Sequence, residues 1–156
     1  MELKFIADAM LGKLAKWMRI IGCDIEYFPC ITDDELIEKA CRGNRLILTR
    51  DTLLIKRRKV RDNYFFINGN SYRDQLRQVV RELPVDPFAG ILTRCLICNE
   101  GLTPVDKTSV RDKVPPYVFK TQDTFETCPS CGRIYWGATH KEQMLKQLKD
   151  ILNGKD

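Results

Sequence analysis

Four aspartates and four cysteines carry the chemistry that this 156-residue chain advertises. Asp8 closes the apolar run of "FIADAML" (5–11), where another valine or isoleucine would bury more surface. Asp33 and Asp34 open "DDELIEKACRGN", and Asp51 directly follows "LILTR". Three or four carboxylates meeting at one place would repel and raise one another's pKa values. A hard divalent cation with a preference for oxygen ligands, Mg²⁺ or Mn²⁺, relieves that repulsion. Such an ion activates water and neutralises charge on a phosphate under in-line attack. Aspartates also cap helix amides and face the positive end of the helix dipole, which would account for Asp33, Asp34 and Asp51 with no metal at all. It would not account for Asp8.

The cysteines form a second constellation. "CLIC" (95–98) and "CPSCG" (128–132) are two C-x-x-C pairs, each able to turn two thiolates toward one ion, and four soft sulfurs suit tetrahedral zinc. Cys95, Cys98, Cys128 and Cys131 are therefore predicted to hold a structural zinc, since four thiolates leave no open position for catalysis. Gly132 follows the second pair, where a left-handed residue is commonly required. The stretch between the pairs exceeds the usual ribbon spacing, so the ribbon carries an extended loop. Seven cysteines, an odd number, fit a reducing compartment with a metal site better than a disulfide framework.

Cations flank the acids. Lys13, Lys16 and Arg19 recur on the stretch after Asp8. Arg50 precedes Asp51, and "KRRKVR" (56–61) supplies Lys56, Arg57, Arg58 and Lys59. A basic rim around an acidic metal site is what phosphodiester cleavage needs, cations positioning the backbone while the metal faces the scissile phosphate. The same residues would otherwise be solvated helix faces. Tyr135 and Trp136 could stack on single-stranded bases; Trp17 fits a core position better. His140, the only histidine, reads as a helix-start or interface residue.

The elements that must position these groups follow from periodicity. Residues 1–90 alternate strand and helix: strands at 3–7, 24–28, 45–49 and 63–67, and helices at 11–22, 32–44 and 72–83, with Leu36, Ile37, Ala40 and Cys41 inward on the second. Gly22 and Gly43 are expected to end the first two helices, and Thr32 with Glu35 makes a capping box. Repeated β-α units with short connections predict a mainly parallel sheet with helices on both faces, and ligands at the carboxyl ends of its strands. "PVDPFAG" (84–90) reads as a hinge. Residues 91–138 lose helical periodicity, and a last helix over 140–152, capped by Thr139 and Glu142, is expected to pack on one of the two units.

Taken in order, "FIADAMLGKLAKWMRIIGCD", "DDELIEKACRGNRLILTRD", the two C-x-x-C pairs and "CGRIYWGATH" resemble the Mut-seven C-terminal RNase domain family over nearly the whole chain. The resemblance implies an α/β, PIN-like three-layer α/β/α nuclease domain (1–90) and a C-terminal zinc-ribbon module with its terminal helix (91–156). It implies a Mg²⁺- or Mn²⁺-dependent ribonuclease with Asp8 as first-strand acid, Asp33 as helix-start acid and Asp51 as the acid of "TRD". Asp33 suits its role better than Asp34, an outer-shell candidate. Many PIN nucleases carry another acid two residues after the "T-x-D" aspartate; here Leu53 stands there, which favours one well-bound ion over two. Two other classes stay open: a non-catalytic RNA-binding module, and a protein-interaction adaptor built on the ribbon. No apolar run approaches the length of a membrane span, and the N-terminus lacks signal-peptide layout, so a cytoplasmic protein is expected.

Overall fold

Four short strands line up in parallel: β1 (Lys4–Ala7), β2 (Asp24–Tyr27), β3 (Leu46–Thr49) and β4 (Tyr64–Phe66), in the order β2-β1-β3-β4. This computed structural model describes residues 2–154, without the side chains of Ala138 and Thr139. Strand side chains alternate between faces, and the sequence obeys that period. Phe5, Ala7 and Leu48 join a core beneath α1 (Gly12–Ile20) and α3 (Tyr72–Glu82), which supply Leu14, Met18, Leu76 and Val79. Ile6 and Ile47 point the other way, onto Leu36, Ile37 and Ala40 of α2 (Asp33–Gly43). The result is a mixed α/β fold of three layers around a wholly parallel sheet.

Glycine and asparagine divide the helix ends between them. Gly22 takes φ +98° after α1, and a Cβ there would come within 2.5 Å of the Gly90 carbonyl oxygen, so the chain needs glycine at this crossing. Gly43 instead remains helical, and Asn44 at φ 51° is the left-handed cap of α2. Thr32 caps α2 as expected, its Oγ1 accepting from the Glu35 amide at 3.2 Å and donating to the Glu35 carboxylate at 3.0 Å. Cys41, expected inward, is exposed: it lies one position round from Ala40, beyond the buried stripe.

The ribbon is a small antiparallel sheet, β5 (Thr103–Val105), β6 (Phe125–Thr127) and β7 (Ile134–Tyr135), in that order. Its long insert has a core of its own, Val110, Val114, Val118 and Phe125, and contains a short helix, α4 (Pro116–Thr121). Periodicity could not reveal a helix of six residues that starts on a proline pair. The terminal helix α5 (Ala138–Leu152) returns to the first layer, burying Leu148 and Ile151 with the α1–α3 core, and Arg77 of α3 donates to the Ile151 carbonyl at 2.7 Å. Gly137 stands at its N-cap, one residue before the helix starts; the Thr139 side chain expected to cap it lies outside the described residues. Among the described residues, no helix is long and apolar enough to cross a membrane.

Candidate active site and metal centre

In this strand order the direction of progression reverses between β1 and β3, and the crevice outside their carboxyl ends is where open parallel sheets hold ligands. Asp8 and Asp51 flank that crevice. Asp8 continues β1, its amide donating to the Leu48 carbonyl at 2.9 Å, and the residue is 9% exposed. Thr49, the buried last residue of β3, donates its hydroxyl to Asp8 Oδ2 at 2.8 Å and accepts from the Asp51 amide at 2.9 Å. One threonine thus ties the two acidic turns together. Periodicity marks Thr49 only as a strand residue; its place inside "TRD" is the available signal.

Tyr27, at the end of β2, adds a second brace. Its hydroxyl donates to the Ala9 carbonyl at 2.7 Å and so holds the turn that follows Asp8. Gly12 makes room for it, since a Cβ at that position would sit 2.9 Å from the Tyr27 oxygen.

Two of the remaining acids are otherwise engaged. Asp51 Oδ1 accepts from the amides of Leu53 (2.8 Å) and Leu54 (3.2 Å), capping the 3-10 turn Leu54–Lys56. Asp34, fully exposed, pairs with Arg57, whose hydrogen bond and charge hold its carboxyl below the usual range. Asp33 is exposed on the first turn of α2 and makes no hydrogen bond or ion pair among the described residues. Asp8, Asp33, Asp34 and Asp51 share one edge of the sheet, but their oxygens do not close to mutual ligand distance. Among the described residues, only the four cysteines form a set of three or more donors within 4.8 Å of one another.

The basic residues divide. Lys13 and Lys16 are exposed on α1, with Lys13 over the Tyr72 ring at 5.9 Å. The "KRRKVR" run folds into two 3-10 turns pinned by buried Leu54 and Val60, which leaves Lys56, Arg58 and Lys59 exposed. Arg50 is half-buried and donates to Asn70 Oδ1 at 2.8 Å. Arg19 is a correction. Expected on the basic face, it is 9% exposed and donates to the Ile25 carbonyl at 3.0 Å and to those of Leu96 and Ile97 at 3.0 and 3.3 Å. Burial lowers its pKa, partly offset by Cys95, Cys98 and the nearby acids. It is a strut from α1 to the first cysteine turn. Trp17 stacks on Tyr72 at 6.4 Å within the helical layer.

The cysteine turns are built alike. The Cys95 amide donates to the Glu100 carbonyl and the Asn99 amide back to Cys95, while Cys128 and Gly132 repeat the pattern with Arg133. Asn99 (φ 65°) and Gly132 (φ 76°) occupy the same left-handed position just after each pair. Cys95 and Cys131 Sγ are 3.8 Å apart, the edge of a tetrahedron with metal–sulfur bonds of about 2.3 Å. Tyr135 donates its hydroxyl to Cys95 Sγ at 3.0 Å, and hydrogen bonds from the Arg133 backbone and side chain draw the Cys131 thiol down to about 6. Donor type, count and spacing fit a metal such as zinc.

A family model described as the Mut7-C RNAse domain matches residues 3–148. The chain belongs to that family. The match takes in both the parallel sheet and the cysteine turns, and the family's description is that of a ribonuclease, which gives RNA as the substrate class. No curated protein and no solved structure matches the chain.

Proposed function

We propose that this Mut7-C domain is a metal-dependent ribonuclease, with Asp8 as the central ligand of a Mg²⁺ or Mn²⁺ ion, Asp51 and Asp33 completing the set, and Asp34 in the outer shell. One observation carries the reading. Asp8 is nine-tenths buried, yet its side chain has a single partner, a neutral threonine hydroxyl, and no cation among the described residues. A buried carboxylate normally pairs with a positive group or loses its charge. Asp24, the comparable acid near the other end of the sheet, has Arg45 at 2.7 Å. At the switch crevice a divalent cation would supply what Asp8 lacks, activating water and neutralising charge on the phosphate.

The chain's own residues do the rest. Thr49 fixes the Asp8 rotamer through Oδ2, leaving Oδ1 for the cation, and Tyr27 keeps the following turn from closing over it. Lys13, Lys16, Arg50, Lys56, Arg58 and Lys59 offer phosphate contacts around that edge. Arg57 would do so on releasing Asp34. The four cysteines hold a structural Zn²⁺. Asp51, already capping two amides, favours the rival reading of a non-catalytic RNA-binding module, in which the acids only shape turns.

A Mn²⁺ titration of zinc-loaded protein with labelled single-stranded RNA tests the proposal. Cleavage that rises with added metal is expected. RNA binding with no cleavage at any metal concentration would support the rival.

A further inference from the structure

The ribbon presents an open groove of about 630 Å³, far along the chain from the acidic turns, whose lining includes Tyr117, Gln122, Ile134, Trp136, His140 and Gln143. We propose that this groove is a second RNA-contact site, in which Trp136 and Tyr117 stack on unpaired bases of the strand whose phosphates meet the nuclease edge. The inference rests on RNA being the substrate, and extends that reading from one site to two.

Chemistry narrows the occupant. Tyr117 is 70% exposed and Trp136 is 38% exposed, a large solvent-facing aromatic surface for so small a module. Their neighbours in sequence explain why they face outward. Val118 is buried in the insert's core, and Tyr135 is turned inward to donate to Cys95. Each exposed ring is thus mounted beside an anchored residue, so stacking would cost little ordering. Among the described residues the lining includes no carboxylate, in a chain where 21 residues are Asp or Glu. It includes two glutamines, whose amides can both donate to and accept from base edges, and the one histidine. Lys141, together with Glu126, lines a second cavity that shares Tyr135, Trp136, Gly137 and His140 with this groove. Rings, amides and a weak base without acids suit bases rather than phosphates, and such stacking tolerates any sequence.

The test measures affinity of a labelled oligouridine for the zinc-loaded full chain carrying Asp8→Asn, so that cleavage does not intrude. Trp136→Ala and Tyr117→Ala should each weaken binding roughly five- to a hundredfold. Trp136→Phe should restore most of the loss. The slope of log affinity against log salt should stay constant in all three, because stacking releases no counterions. Tyr117, being so exposed, decides the matter if Trp136→Ala lowers zinc content or melting temperature. Unchanged affinity in a folded Tyr117→Ala protein overturns the proposal, as does a loss that appears only as a shallower salt slope. Either result leaves the nuclease reading standing, whereas absence of Mn²⁺-dependent cleavage with these affinity losses intact would remove the nuclease and keep the groove.

Discussion

Asn99 joins the two parts of the molecule, and its replacement tests how tightly. Its Oδ1 accepts from the Ile25 amide at 3.0 Å on the open edge of β2, and its Nδ2 donates to Asp24 Oδ1 at 2.7 Å. The residue is 8% exposed and left-handed at φ 65°. Asn99→Ala would strand a buried N–H, costing about 1–3 kcal/mol, and remove a hydrogen bond to a charged group worth about 1.5–3 kcal/mol when fully buried. The second figure must be discounted, because Asp24 keeps Arg45 and its side chain is 20% exposed. A Cβ without a compensating amide adds about 1 kcal/mol at positive φ. With the second figure halved the sum is about 3–5 kcal/mol, and Asn99→Gly should recover up to about 1 kcal/mol because glycine takes that φ freely. Urea unfolding of zinc-replete protein reads these values. Because the same residue shapes the Cys95–Cys98 turn, zinc removal and Asn99→Ala should be non-additive by about 1 kcal/mol or more. A loss under about 0.5 kcal/mol, or strict additivity with zinc removal, would refute the joint.

Other expectations follow from the same structure. Replacing Arg57, Arg58 and Lys59 with Ala should weaken binding of all single-stranded RNAs alike and reduce the salt slope by about 0.7 for each phosphate no longer neutralised; an unchanged slope would leave these residues solvated only. Burial pushes the Asp24 carboxyl up, but hydrogen bonds from Arg45 and Asn99 outweigh it and hold the pKa below the usual range. Its contribution to stability is therefore full above the unfolded value of about 3.9 and fades as pH falls through the lower folded value. Acid unfolding should begin at higher pH in Asn99→Ala than in the parent chain. Gly22→Ala meets both a positive φ and the Gly90 carbonyl, and should destabilise by about 2–4 kcal/mol in the same urea assay.

The sheet, its helices and the cysteine motif were legible because each rests on local periodicity or spacing. Strands β1, β3 and β4 announce themselves as short apolar runs, and Gly132 marks its turn by type. What stayed hidden depends on contacts between distant segments. Asn99 performs the backbone role of Gly132 while its side chain completes β2, and nothing near position 99 speaks of residue 25. Arg19 sits at the right helical spacing to join Lys13 and Lys16, but the cysteine turn packs over that end of α1 and its carbonyls claim the guanidinium. Asn44 took the cap expected of Gly43 because asparagine tolerates the left-handed region nearly as well. Topology alone puts the acids at their edge of the sheet. Their hydrogen bonds to Thr49, to the Leu53 and Leu54 amides and to Arg57 could not be read from spacing.

The central claim is that β1 ends on a carboxylate in order to hold a catalytic cation. Asp8→Asn keeps the size and an acceptor for Thr49 while removing the charge. Mn²⁺-dependent RNA cleavage and melting temperature, measured on one Asp8→Asn preparation beside the parent chain, test it most directly. Cleavage should fall by several orders of magnitude while metal-free stability holds or rises, since a largely buried carboxylate with no cation beside it has been replaced by a neutral amide. A folded Asp8→Asn protein that cleaves RNA as well as its parent would contradict the account.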